Sequence, residues 1–130
     1  MDRLVDFETV PARDVWGESV QARVVDGERA SIALVELAPG AVVPEHRHEH
    51  EQLGMVVEGK MTFTIDGRTR ELGPGGTWRI PSNAPHDAVA GDDGAVVVDI
   101  FSPVRSDWDA LPRSVPRPMR WPRKAGSGGA

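Results

Sequence analysis

Turn dipeptides punctuate this chain at short intervals, and between them apolar residues alternate instead of following the 3.6-residue period of a helix. The runs 19–25 and 30–37 flank Asp26-Gly27, and the second stops at Pro39-Gly40. Residues 46–52 read as a strand and 53–57 as its sequel, with Gly59 as a reversal. The run 61–65 meets 68–72 across Asp66-Gly67, a pair suited to a tight hairpin turn. A Gly-Pro-Gly-Gly turn at 73–76 leads into 77–81, and the runs 86–90 and 95–101 close the series around a loop at 91–94. Eight or nine strands with a single helical turn at 106–111 predict an all-β antiparallel sandwich or barrel. A length of 130 residues suits one domain, residues 1–111, with its barrel core at about 20–105.

Composition narrows the function. No segment approaches the ~18 consecutive apolar residues of a membrane span, and the acidic start MDRLVDFETV lacks the apolar core of a secretory signal. The chain has no cysteine, so a metal would have to be held by nitrogen and oxygen donors. A cytoplasmic protein with no membrane partner is the expectation. Residues 1–111 carry 10 basic and 20 acidic side chains, whereas residues 112–130 carry five basic and no acidic ones. An acidic body argues against nucleic acid as partner. The Pro- and Gly-rich basic tail is expected to be flexible and to lie on that body.

The stretch HRHEHEQ, residues 46–52, carries the chemistry. Read as a strand, it turns His46, His48, His50 and Gln52 to one face and Arg47, Glu49 and Glu51 to the other. Imidazoles lining a barrel interior need partners, and a divalent metal supplies one. His86, in IPSNAPH, is the fourth histidine of the chain and falls on a neighbouring predicted strand. Surface histidines, or a polar cavity without metal, are the competing readings.

These residues resemble the first cupin motif, G(x)5HxH(x)3–4E(x)6G, through Gly40, His46, His48, position 52 and Gly59, with Gln52 where glutamate is usual. Gly75, Pro81 and His86 resemble the second motif, with Asn83 replacing its middle glycine and Ala90 its last asparagine. The resemblance implies a double-stranded β-helix, or jelly-roll barrel, with a short extended N-terminal segment. It also implies one divalent transition metal (Mn, Fe, Co, Ni or Zn) held by His46, His48, Gln52 and His86, and, by analogy, a homodimer. His50 falls outside that ligand set and reads as part of the cavity wall. A neutral amide in place of a carboxylate would leave the ion its full charge, favouring an anionic ligand at the expense of metal affinity.

A second group lies in AVVVDIFSPVR, where Asp99 interrupts an apolar strand on the face of Val97 and Phe101, and Arg105 follows the turn. Either Asp99 and Arg105 pair, or both face the cavity. The combination of HxHxHEQ and DIFSPxR is similar to the pectin-degradation (KdgF-type) cupins, which open 4,5-unsaturated uronates to linear keto sugars. That resemblance implies an isomerase- or lyase-type enzyme for a small carboxylate or sugar substrate, with Asp99, Phe101 and Arg105 as its catalytic group. A dioxygenase, a polyketide-type cyclase and a non-catalytic sugar- or metal-binding module are the alternatives. Residues 1–18 hold Trp16 and no recognisable chemistry.

Overall fold

In the computed structural model, which describes residues 2–114 and 118–121, two long strands organise everything else. The eight strands are β1 (Arg13–Asp14), β2 (Val20–Asp26), β3 (Ser31–Leu37), β4 (Val42–His46), β5 (Glu51–Ile65), β6 (Arg68–Leu72), β7 (Thr77–Ile80) and β8 (His86–Ser102). Strands β5 and β8 pair antiparallel along almost their whole length. Their outer halves, Glu51–Gly59 and Ala95–Ser102, belong to a sheet ordered β1-β2-β3-β8-β5-β7. Their inner halves, Met61–Ile65 and His86–Ala90, pair with β6 and β4 to form the opposing layer. The two layers close into the jelly-roll sandwich of a cupin.

The sequence divides each long strand in two, and the structure corrects this. Gly59 produces no reversal. It sits at a β-bulge with φ of 81°, where a Cβ would collide with the carbonyl of Gly94. Residues 91–94 remain in β8, and Gly94, at φ 74°, bends alongside Gly59. Two closely apposed glycines let both strands turn the corner, with the pairing interrupted at residues 91–94 and resumed on either side. The Asp66-Gly67 hairpin forms as expected, with both residues at positive φ. The helical turn is a 3-10 segment, Ser106–Ala110.

Side chains from both layers fill the space between them, with Ala22, Ala33, Val35, Val56, Met61, Ile80, Ala88, Val97 and Phe101 all buried. On the outer surface of the larger sheet, Leu34 and Val96 are buried too. There the guanidinium of Arg23 donates to the carbonyls of Phe7, Glu8 and Val10 and ties down the N-terminal segment. Part of the basic tail lies on the acidic body: Arg120 donates to the carbonyls of Leu37 and Asp93. The expectation of a flexible tail otherwise falls on residues 115–117 and 122–130, which lie outside the described residues. Among the described residues no helix is long and apolar enough to cross a membrane.

Candidate functional site

The histidine run is not a strand. Strand β4 ends at His46, residues 47–50 bend, and β5 begins at Glu51. The strand-parity argument for residues 46–52 therefore fails, because the run spans two strands and the turn between them. The bend still brings His46, His48 and Gln52 to the lining of one cavity, and turns His50 elsewhere. His86 opens β8 directly opposite His46, so the two rings meet across the β4–β8 pair with centroids 4.2 Å apart.

His46, His48 and His86 each offer one nitrogen to a cluster whose donor atoms all lie within 4.8 Å of one another. The rings are oriented by the backbone. Each Nδ1 lies 2.8–2.9 Å from a carbonyl oxygen, of Pro44, His50 and Ala84 respectively. A carbonyl can only accept, so Nδ1 carries the proton and Nε2 is the free atom of each ring. Burial, with Arg105 and His86 adding to it, lowers the His48 pKa to about 4, and burial likewise lowers that of His86. His48 is thus neutral near pH 7, with a lone pair at Nε2.

Two observations show that this arrangement suits a cation. The Nε2 of His86 is buried and has no hydrogen-bond partner. The Nε2 of His48 lies 3.1 Å from Gln52 Oε1, so two acceptors face one another. The amide cannot be turned to relieve this, because Gln52 Nε2 donates to Asp99 Oδ1 at 2.9 Å. A divalent ion among the three imidazoles would satisfy both groups, and such nitrogen and oxygen donors are accepted by several transition metals.

Asp99 sits on β8 opposite Gly54 of β5, and Gly54 in turn faces Trp78 of β7. The Trp78 indole crosses over Gly54 and donates from Nε1 to Asp99 Oδ1 at 2.8 Å. A Cβ on Gly54 would overlap both the indole and that carboxylate oxygen. Both bonds reach Oδ1, so Oδ2 has no partner among the described residues. Burial dominates the electrostatics: it raises the Asp99 pKa to about 6 in spite of the two donors and the nearby Arg105.

Asp99 and Arg105 do not form the direct ion pair that was one of the two expectations. Arg105 is bound by Asp107 instead, Nε to Oδ1 at 3.1 Å and Nη2 to Oδ2 at 3.0 Å. Its guanidinium lies over the rings of Phe101 and Trp108, 4.6 and 4.2 Å from their centroids. Burial lowers the Arg105 pKa, and Asp107 offsets that effect. His50 is buried beside this group, with Nε2 3.2 Å from the Val104 carbonyl and 3.8 Å from Asp107 Oδ1.

All these groups except His50, Gly54 and Trp78 line a single cavity of about 390 Å³. Arg47, Asp107 and Trp16 stand at its exposed side, and the Trp16 ring packs 5.3 Å from that of His46. Sequence reasoning did not identify Trp16, Gly54, Trp78, Asp107 or Trp108 as site residues. Gly54, an isolated glycine inside a strand pattern, was the one available signal, since such a residue marks a close approach.

Comparison with known proteins gives a consistent picture. The pectin degradation protein KdgF of Dickeya dadantii is 29% identical over 94 residues, covering 71% of this chain and 86% of that protein. The dimethylsulfoniopropionate lyase DddW of Ruegeria pomeroyi is 30% identical over 99 residues, covering 69% of this chain and 65% of the lyase. The structure of KdgF from a Halomonas species superimposes with a TM-score of 0.73 at 31% identity, over 82% of this chain and 97% of that one. The Cupin_2 family, described as a cupin domain, matches residues 33–101, just over half of the chain. A jelly roll with three imidazoles facing its cavity, joined to that match, makes this chain a member of the cupin family, and a small cupin resembling KdgF.

Proposed function

We propose that this protein is a metal-dependent enzyme that opens 4,5-unsaturated uronates to linear keto sugars. The observation that carries the reading is the convergence of the histidine cluster, Asp99 and Arg105 on one cavity. Similarity to the two KdgF proteins gives the substrate class. His46, His48, His86 and Gln52 would hold the ion, which supplies Lewis acidity toward substrate oxygens. Arg105, held rigid by Asp107 and two aromatic rings, pairs with the substrate carboxylate.

The ring opening is an isomerisation. A proton leaves the anomeric hydroxyl, the C1–ring-oxygen bond breaks as the C1 carbonyl forms, and the released enol takes up a proton at C4 to become the ketone. Asp99 suits the proton transfers, since burial favours its protonated form and opposes the downward pull of a bound cation. Phe101 covers the sugar face and excludes water. A homodimer belongs to the same proposal. The exposed outer-face residues Ile32, Ile100 and Leu53, aligned in register, are the surface it would cover.

The test combines elemental analysis with loss of the conjugated ultraviolet band of unsaturated galacturonate. Turnover that disappears on chelation and returns with a divalent metal is expected. A metal-loaded protein that leaves the band unchanged overturns the proposal.

A further inference from the structure

The cavity has two unlike ends. Its polar groups stand at one level of the barrel, where His46 faces His86 across β4 and β8, and Gln52 faces Phe101 across β5 and β8. One step deeper on the same face of β8 comes Ala88, whose cross-strand partners are Val43 and Phe63. On the other layer, one step in from Asp99 is Val97, which faces Val35. Met61 lies deeper still, opposite Ala90. Except for Ala90, these inner residues line the cavity; none carries a side-chain donor, and the thioether sulfur of Met61 is their one, weak, acceptor. The backbone groups of these strands are engaged in the sheet ladders, so the inner chamber can wet a hydroxyl group only poorly.

A fully hydroxylated uronate does not match such a space. Its carboxylate would find Arg105 and the imidazoles, while whichever ring edge turned inward would bring a hydroxyl against valine, alanine and phenylalanine. A ring edge that has lost its oxygen, or a hydrocarbon, would bury favourably there. We propose that the inner chamber is a specificity pocket that selects carboxylates able to turn an edge without hydroxyls inward. The anionic head lies at the level of His46, His86 and Arg105, and the apolar or dehydrated edge enters between Val43, Ala88, Phe63 and Val97. Within the reaction proposed above, which supplies the polar end of this assignment, the chamber takes the C4 edge, which carries no oxygen in a 4,5-unsaturated uronate and a hydroxyl in its saturated counterpart, while the remaining hydroxyls stay at the polar level.

The experiment is calorimetric titration of the full chain, with its metal content measured, using five carboxylates that are not turned over. Cyclohexanecarboxylate is expected to bind at least tenfold more tightly than galacturonate. Affinity should rise by about fourfold per methylene from butyrate to hexanoate, the factor expected for burying each CH2. Acetate provides the head-group baseline. Ala88→Leu, which fills the chamber, should abolish the gain from butyrate to hexanoate while acetate still binds, and that retained binding reports an intact fold. In a second variant, Val97→Thr introduces a hydroxyl at nearly constant volume and should narrow the gap between the two cyclic acids.

Equal binding of cyclohexanecarboxylate and galacturonate, or a flat series from acetate to hexanoate, overturns the assignment. The ultraviolet assay keeps the two proposals apart. A protein that opens unsaturated uronates but binds both cyclic acids equally has the reaction without the chamber. One that shows the alkyl series and no ring opening has the chamber without the reaction.

Discussion

Asp99 makes the sharpest demand on the fold, and Asp99→Asn tests it. The carboxyl is buried, and burial lifts its pKa from the ordinary 3.8 to about 6. The folded protein therefore holds this proton more tightly than the unfolded chain does. The contribution is fully present below about pH 4 and is lost as pH rises through 6. Above that, the ionised group costs about 2 pKa units, or about 3 kcal/mol at 1.36 kcal/mol per unit. Asparagine is never charged, and its Oδ1 can accept from Gln52 and Trp78 as the carboxylate does. The variant should then be more stable than the parent by about 3 kcal/mol at pH 8 and by less than about 1 kcal/mol at pH 4. Urea unfolding of the chelator-treated proteins at both values is the assay, since a bound cation would itself draw down the Asp99 pKa. With slopes of about 1–3 kcal/mol per molar, the midpoint at pH 8 should rise by at least about 1 M. Other titrating groups are common to both proteins and cancel. The same variant, metal-loaded, should lose turnover while keeping its metal. Equal midpoints at pH 8, or a gap that does not change with pH, would refute the reasoning about burial, and a fully active variant would remove Asp99 from catalysis.

Two further substitutions probe the surrounding contacts. Gly54→Ala should displace the Trp78 indole from Asp99 and cost about 3 kcal/mol or more, combining steric conflict with loss of a bond to a charged acceptor. Near-ultraviolet circular dichroism of the tryptophans, with urea unfolding, reads this directly, and an unchanged spectrum contradicts it. Gln52→Glu should raise metal retention on elemental analysis and weaken binding of an anionic ligand. The metal-free variant should be destabilised at pH 8, because a second carboxylate would replace the donor 2.9 Å from Asp99 Oδ1. Unchanged anion affinity would refute the role given to the neutral amide.

The fold class was legible because alternation and turn chemistry are local. The hairpin at Asp66-Gly67 and the 3-10 turn after Arg105 follow from a few adjacent residues. The continuity of β5 and β8 was not legible, since Gly59 and Gly94 would look the same at a reversal and at a bulge. What separates the two cases is that Gly59 packs against the backbone of Gly94 and Ala95 on the neighbouring strand, a long-range fact. Residues 46–52 show a different limit. Parity assumed an unbroken strand, whereas the chain bends after His46, and that bend is what sends His50 toward Val104 and Asp107. Trp78 and Asp107 were invisible for a related reason. Each matters through a partner, Asp99 or Arg105, that the sequence could not assign to it.

The glutamine at position 52 can now be argued from both of its ends. A cation held by the imidazoles would want an acceptor on their side, where Oε1 lies 3.1 Å from His48 Nε2. A donor is wanted on the other side, where Asp99 Oδ1 already receives Trp78 and takes Gln52 as its second bond. Glutamate supplies the first and, once ionised, opposes the second. Among side chains of this length only the amide meets both demands. The departure from the usual cupin glutamate is therefore coupled to a buried aspartate two positions before Phe101. A carboxylate removed from the histidine cluster at position 52 reappears as a carboxyl at position 99, separated from the cluster by one amide. In the reaction proposed above, the negative group would stand not where it neutralises a cation but where it can exchange a proton with what the cation holds.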